Sequence, residues 1–109
     1  MSALLALALV ASGLHGVVMR GPTRPVCQVG MPCSEPAVGA VLVFSRNGVV
    51  AARVRAGTGG RYSVHLRPGY YSVRTQAAPK IGSGLRPRQV HVLRGVFGRA
   101  DFMIDTGIR

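Results

Sequence analysis

From Leu14 onward, hydrophobic and polar residues alternate with a period of two, in short runs that turn residues separate. This alternation is typical of β-strands that have one buried and one exposed face. No segment shows the sustained 3.6-residue period of an amphipathic helix. Because turn signals recur about every 8 to 12 residues, the pattern predicts an all-β, seven-stranded antiparallel Greek-key β-sandwich.

The alternation also assigns each side chain to one face of its strand. Gly39 to Phe44 is apolar throughout, which indicates a central strand or one covered on both faces. Asn47-Gly48 predicts a hairpin, because both residue types tolerate the positive φ of a tight turn. The predicted core consists of Val18, Val41, Val43, Val54, Tyr62, Val64, Leu66, Tyr71, Val73, Val90, Val92, Phe102 and Ile104. The apolar residues predicted to face outward are Val17, Met19, Leu42, Phe44, Tyr70 and Leu93.

Length and charge narrow the function classes. The 109 residues fit one domain, and 14 Lys+Arg stand against 3 Asp+Glu, for a net charge of +11. Together with 48% hydrophobic residues, these values exclude a large catalytic fold, a coiled coil and a polytopic membrane protein. All the cations except Lys80 are Arg, and they are spread along the chain with no run of three. They suit either solvated strand faces or anionic partners.

The N-terminus resembles a shortened secretion signal. Ala3 to Ala11 is a nine-residue apolar stretch followed by Ser12 and Gly13, which suits a signal-peptide core and a small-residue cleavage site. A positively charged segment before it is missing. We predict a truncated signal peptide over residues 1–12 and a β-sandwich domain over residues 13–109. The alternative is that this stretch forms a buried first strand or a short helix.

Two cysteines are consistent with export. Cys27 and Cys33 enclose a short loop that contains Gly and Pro, and such a pair readily forms a disulfide in an oxidising compartment. A zinc site is the competing interpretation, but zinc takes about four ligands, and the three histidines are widely spaced. Free thiols are the third possibility.

Three segments resemble a known family. Gly39 to Phe44, Gly60 to Val64 and above all Leu66 to Val73 (LRPGYYSV) are similar to the carboxypeptidase regulatory-like, or transthyretin-like, domain. Its strand of form G-x-x-V-x-V is followed by two hairpins, the second of form L-x-P-G-x-Y-x-V. The acidic residue that usually follows Thr in the first hairpin is replaced by Gly59. The resemblance implies a non-catalytic accessory, adhesive, wall-anchored or carbohydrate-associated module.

Candidate chemistry is sparse. The acidic residues are Glu35, Asp101 and Asp105, and no two of them are placed to act as an acid–base pair. His15, His65 and His91 all have outward parity. The C-terminal Tyr-Arg-Gly-Ser signature of the related 5-hydroxyisourate hydrolase is missing. We therefore predict no catalytic residue, no cofactor and no metal site.

The sequence thus predicts an exported, non-catalytic module with a binding or structural role. We expect a protein or polysaccharide partner at the cell envelope, and no apolar run approaches the roughly 18 residues of a membrane span. One alternative is an Arg-rich module that binds anionic polymers, either polysaccharide or nucleic acid. Nucleic acid is less favoured, because the cations are not clustered or interleaved with aromatics. Another alternative is a small transthyretin-like hydrolase. The candidate partner-binding residues are Leu42, Phe44, Arg53, Arg55, Tyr70 and Arg74.

Overall fold

A computed structural model of the protein describes residues 11–76 and 84–106. Within these residues the chain forms β-strands and one short 3-10 turn, Thr58–Gly60, with no α-helix. The strands are β1 (Gly13–Gly21), β2 (Glu35–Pro36), β3 (Val41–Arg46), β4 (Val49–Arg55), β5 (Arg61–His65), β6 (Gly69–Thr75), β7 (Leu85–Arg86), β8 (Gln89–Val92), β9 (Phe97–Arg99) and β10 (Phe102–Asp105). The predicted all-β class is confirmed. The described strands number ten rather than seven, because β2, β7 and β9 are short additions.

The first sheet is organised around β1. The N-terminal half of β1 pairs with β5 and β9, and its C-terminal half pairs with β2 and β10. The short strand β7 extends this sheet beyond β10. The pairings of β1 with β9 and β10 are parallel, so the prediction of a wholly antiparallel sandwich is wrong at these two ladders. The alternation pattern identifies strands but carries no information on their relative direction.

The second sheet has the strand order β4-β3-β6-β8, and all of its pairings are antiparallel. Asn47 and Gly48 connect β3 to β4 with positive φ values of 52° and 78°. A two-residue hairpin of this type needs the left-handed conformation at both positions. The predicted hairpin is confirmed.

The two sheets pack against each other through a shared aromatic centre. Phe44 of the second sheet lies 6.4 Å from the ring of Tyr62 and 6.3 Å from that of Phe102, both in the first sheet. The rings of Tyr62 and Phe102 are 5.8 Å apart. Of the predicted core residues, those that are buried in the shared core are Val18, Tyr62, Val64, Leu66, Tyr71, Val73, Val92, Phe102 and Ile104. Val54 and Val90 are half-buried and pack against this core.

The face assignment of β3 is wrong. Leu42 and Phe44 are fully buried in the core between the sheets, whereas Val41 and Val43 lie on the opposite face. The sequence of β3 is apolar on both faces, so alternation could not determine which face points inward. Val43 is nevertheless 1% exposed, and its direct cross-strand neighbours are Arg53 and Arg74. The aliphatic stems of these flanking arginines are placed to cover Val43, because long cationic side chains cover apolar surface while their charges stay in water.

The segment that carries the family resemblance forms a corner between the sheets. Since β5 belongs to the first sheet and β6 to the second, the expected Pro-Gly hairpin is instead a crossover. The Tyr71 hydroxyl donates a hydrogen bond to the Arg67 carbonyl at 2.7 Å. The Arg46 guanidinium donates to the Pro68 carbonyl at 3.1 Å and lies 5.7 Å from the centre of the Tyr71 ring. Gly69 has a φ of 147°, a conformation that residues with a side chain rarely adopt, which explains the glycine.

The two cysteines are joined, and the predicted disulfide Cys27–Cys33 is confirmed. It closes a turn in which the Met31 amide donates to the Gln28 carbonyl at 3.1 Å. Val29, at the tip of this turn, is fully exposed. Of the predicted leader, residues 1–10 lie outside the described residues.

Candidate binding face

The outer face of the second sheet collects four of the six predicted partner-binding residues. Arg53 and Arg55 alternate outward on β4, and Tyr70 and Arg74 alternate outward on β6. All four are exposed. Arg53 and Arg74 flank Val43 directly, one on each side. We call this surface, with the arginines Arg53, Arg55 and Arg74, the cationic face.

Leu42 and Phe44 do not belong to this face. Their side chains point into the core, where they are 0% exposed, so the prediction that they anchor a partner is wrong. Both belong to the core cluster, and the first sheet packs against Phe44 through Tyr62 and Phe102.

The sequence interpretation missed how the face is completed. Tyr70 is paired with His91 of β8, and the two rings are stacked with centres 4.0 Å apart and planes 11° apart. Two residues further along β6, Ser72 lies between Ser45 of β3 and Gln89 of β8. Alternation along single strands places His91, Ser72 and Gln89 on outward faces. The register that brings them together depends on the order of the strands in the sheet.

The acidic residues lie on the other sheet. Glu35 of β2 forms an ion pair with Arg20 at 2.7 Å, and Asp101 forms one with Arg99 at 3.1 Å. Asp105 lies in β10. Residues 37–100 contain no Asp or Glu, so the sheet formed by β4, β3, β6 and β8 has arginines on three of its strands and no acidic residue. No carboxylate within the second sheet therefore offsets the charge of the cationic face.

An open depression adjoins the arginines. Its volume is about 360 Å³, and it is lined by Val41, Arg53, Val54, Arg55 and Gln76. A second depression of about 320 Å³ lies at the other end of the molecule's strands, beside Ser12, His65 and Arg67. The first combines apolar walls with two guanidinium groups, which gives it the composition of a site for an anionic group.

The outer face of the first sheet holds a different set of side chains. Phe97 stacks on His15, with centres 5.7 Å apart, and lies 5.3 Å from His65. Ser63 is directly opposite His15 in the ladder between β5 and β1. Within the described residues, however, no hydrogen bond joins Ser63 or His15 to a carboxylate.

The nearest carboxylate, Asp101, is held by other groups. Asp101 accepts hydrogen bonds from the Val17 amide at 2.9 Å and from the Arg99 guanidinium. These two bonds hold the pKa of Asp101 below its ordinary value of 3.8, because both favour the charged carboxylate. Tyr62 nearby donates its hydroxyl proton to the Ala100 carbonyl. Burial, reinforced by the charge of Asp101, raises the pKa of Tyr62 above its ordinary range.

The described residues contain no group of three or more His, Cys, Asp and Glu side chains that could hold a metal ion. Across residues 11–76 and 84–106, no helix is both long enough and apolar enough to cross a membrane. Comparison with protein-family models and with curated proteins found no match for the chain.

Proposed function

We propose that the protein is an exported, non-catalytic β-sandwich module that binds a partner at the cell envelope or outside the cell. The observation that carries the proposal is the cationic face, where exposed arginines share a sheet that has no acidic residue. Uncompensated like charges oppose the compact state of a small domain. Arg55 also donates to the Gly39 carbonyl at 2.9 Å. A partner that neutralises Arg53 and Arg74 gives the charges of these two arginines a role that the fold does not require.

Two features support export. The Cys27–Cys33 disulfide suits an oxidising compartment, because thiols in the cytosol are kept reduced. The apolar stretch from Ala3 to Ala11 directly precedes the folded domain, as the core of a signal peptide would. Ser12, the last residue of the predicted leader, is bonded to the domain: its hydroxyl donates to the Leu66 carbonyl at 2.7 Å and its carbonyl accepts from the Leu66 amide at 3.1 Å, so cleavage before Ser12 fits the fold better than cleavage after it.

We also propose membership of the carboxypeptidase regulatory-like family. This proposal is supported by the role of each characteristic position in the Leu66–Val73 segment. Leu66, Tyr71 and Val73 are buried in the core, while Gly69 adopts the φ of 147° that the corner requires. The pattern of the resemblance therefore coincides with the packing that holds the corner together.

A non-catalytic role is supported by how two of the carboxylates are used. Glu35 is paired with Arg20, and Asp101 links the Val17 amide to Arg99. Both have structural partners and neither lies on the cationic face. The hydrolase alternative has no observation in its favour.

Retention on isolated cell envelopes of the source organism tests the proposal. We expect the protein to sediment with envelopes, and we expect the variant Arg53→Gln, Arg55→Gln, Arg74→Gln to remain in the supernatant. The matched control is Arg61→Gln, Arg67→Gln, Arg94→Gln, which removes the same charge from exposed positions outside the second sheet. The control should sediment like the natural protein. Equal loss in both variants, or no sedimentation of the natural protein, would contradict a binding role for the cationic face.

A further inference from the structure

We infer that the cationic face, extended by Tyr70, binds an acidic polysaccharide, with its carboxylates on the arginines and one sugar ring stacked on Tyr70. This inference rests on the proposed binding function and names the chemistry of the partner. It is carried by the arrangement of three kinds of side chain in successive rows across the sheet.

The rows follow from the register of the four strands. The first row is Arg53, Val43 and Arg74, the second is Val50, Ser45, Ser72 and Gln89, and the third is Tyr70 and His91. Rows on one face are two residues apart along a strand. Arg74 and Tyr70 are therefore separated by about 13 Å at the ordinary strand rise, a span suited to a short oligosaccharide.

The arginine row is suited to carboxylates. A guanidinium binds a carboxylate through two parallel hydrogen bonds, and such charge-assisted pairs are stronger than neutral ones. No side-chain ion pair or hydrogen bond to a carboxylate occupies Arg53 or Arg74 within the described residues. Both are exposed and flank Val43 directly, one on each side, so their guanidinium groups are open to a ligand at one level of the sheet.

Tyr70 supplies an aromatic platform. Its residue surface is 69% exposed, although one side of the ring is covered by His91 at 4.0 Å. The stack fixes the orientation of the ring, and the described residues place no other ring against Tyr70. An aromatic face of this kind packs against the apolar C–H face of a sugar, and its fixed orientation lowers the entropic cost of binding.

The middle row distinguishes a polysaccharide from a nucleic acid. Ser72 and Gln89 are uncharged. The Ser72 hydroxyl donates to the Ser45 carbonyl at 3.3 Å and can still accept a hydrogen bond, while the Gln89 amide can donate and accept, as hydroxyl-rich sugars require. A single-stranded nucleic acid is bound instead by a continuous cationic groove with several aromatic platforms for successive bases. Here the cations are confined to one end of the face and the described residues of the face provide one exposed tyrosine. The proposed export of the protein also favours a polysaccharide as the polyanion that it meets.

Binding of the full chain to polygalacturonate, measured by titration calorimetry at about 50 mM salt, tests the inference. Dextran serves as the neutral polysaccharide, and a single-stranded DNA of equal charge serves as the competing polyanion. We expect the natural protein to bind polygalacturonate. Tyr70→Ala should bind about tenfold more weakly, a loss of about 1.4 kcal/mol, because the ring that stacks on the sugar is removed. Tyr70→Phe keeps the ring and should bind nearly as well as the natural protein. The pair Arg53→Gln, Arg74→Gln should weaken binding at least tenfold, whereas Arg67→Gln, Arg94→Gln should change it little. Thermal unfolding of each variant verifies that it is folded.

The outcomes separate this inference from the proposed function. DNA binding that is as tight as polygalacturonate binding and insensitive to Tyr70→Ala would overturn the polysaccharide assignment and leave a general anion-binding face. Absence of polygalacturonate binding would also overturn it, while Arg-dependent retention on envelopes would still support a different partner. Loss of both signals would overturn the inference and the proposed function together.

Discussion

Asp101 shows how one exposed carboxylate can join distant parts of a small chain. Its Oδ1 atom accepts from the Val17 amide in β1, which is 84 residues away in the sequence. The contact depends on Gly16, because a Cβ atom there would lie 2.7 Å from the same oxygen. Nothing near Asp101 in the sequence indicates this partner, so the bond could not be predicted without the topology.

Replacing Asp101 with Asn tests this link through its pH dependence. The pKa of Asp101 is lowered in the folded state, so its contribution to stability is present above about 3.8 and lost as the pH falls through the folded-state pKa. We expect Asp101→Asn to be less stable at neutral pH by less than about 1 kcal/mol, since solvent screens an exposed carboxylate. Urea unfolding should show that the difference shrinks well below pH 3.8. A difference that is constant over this range would contradict the assignment.

Other residues were predictable because their partners are local. Asn47 and Gly48 determine their turn through their own φ preferences, and Cys27 and Cys33 are six positions apart. The four exposed candidates Arg53, Arg55, Tyr70 and Arg74 followed from alternation along single strands. In each of these cases the relevant physics lies within one element of the chain.

At the scale of the element, β3 marks where alternation stops being informative. Gly39 to Phe44 is apolar on both faces, and buried side chains occur on both: Leu42 and Phe44 toward the opposite sheet, and Val43 on the other face between Arg53 and Arg74. Period-two patterns identify the buried face only when the other face is polar. The choice between Leu42 with Phe44 and Val41 with Val43 therefore depends on the packing of the two sheets.

Truncation of a buried side chain should lower the unfolding free energy by different amounts on the two faces of β3. Phe44→Ala removes a ring from the aromatic centre shared with Tyr62 and Phe102, and we expect a loss of about 3 to 5 kcal/mol of unfolding free energy. Val43→Ala, the matched control on the same strand, removes fewer apolar atoms and should cost about 1.5 kcal/mol. Denaturant unfolding of both variants measures the difference. Equal losses would mean that Val43 faces the core as much as Phe44 does.

At the scale of the whole molecule, charge is divided between the sheets. The absence of Asp and Glu from residues 37–100 can be read from the sequence. That this stretch includes a complete four-stranded sheet follows only from the strand order. The strand order also explains why arginines that are scattered in the sequence form a single face. Alternation places them on the same side of β4 and β6, and β3, which lies between these strands, aligns Arg53 and Arg74 on either side of Val43.

If the cationic face serves to bind a partner, its arginines should lower the stability of the free protein. Like charges on the cationic face repel each other, and salt screens that repulsion as the Debye length falls from about 30 Å at 0.01 M to about 3 Å at 1 M. We expect the melting temperature of the natural protein to rise with salt. At low salt, the variant Arg53→Gln, Arg55→Gln, Arg74→Gln should have a higher melting temperature than the natural protein, and that temperature should depend less on salt. Gln retains much of the aliphatic stem beside Val43, so the substitution mainly removes charge.

The control variant is Arg61→Gln, Arg67→Gln, Arg94→Gln. Its melting temperature should rise less, since Arg61 belongs to the sheet that carries the acidic residues. Thermal unfolding followed by circular dichroism measures all three proteins. If the first variant instead melts lower at low salt, these arginines stabilise the fold and need no partner to explain them.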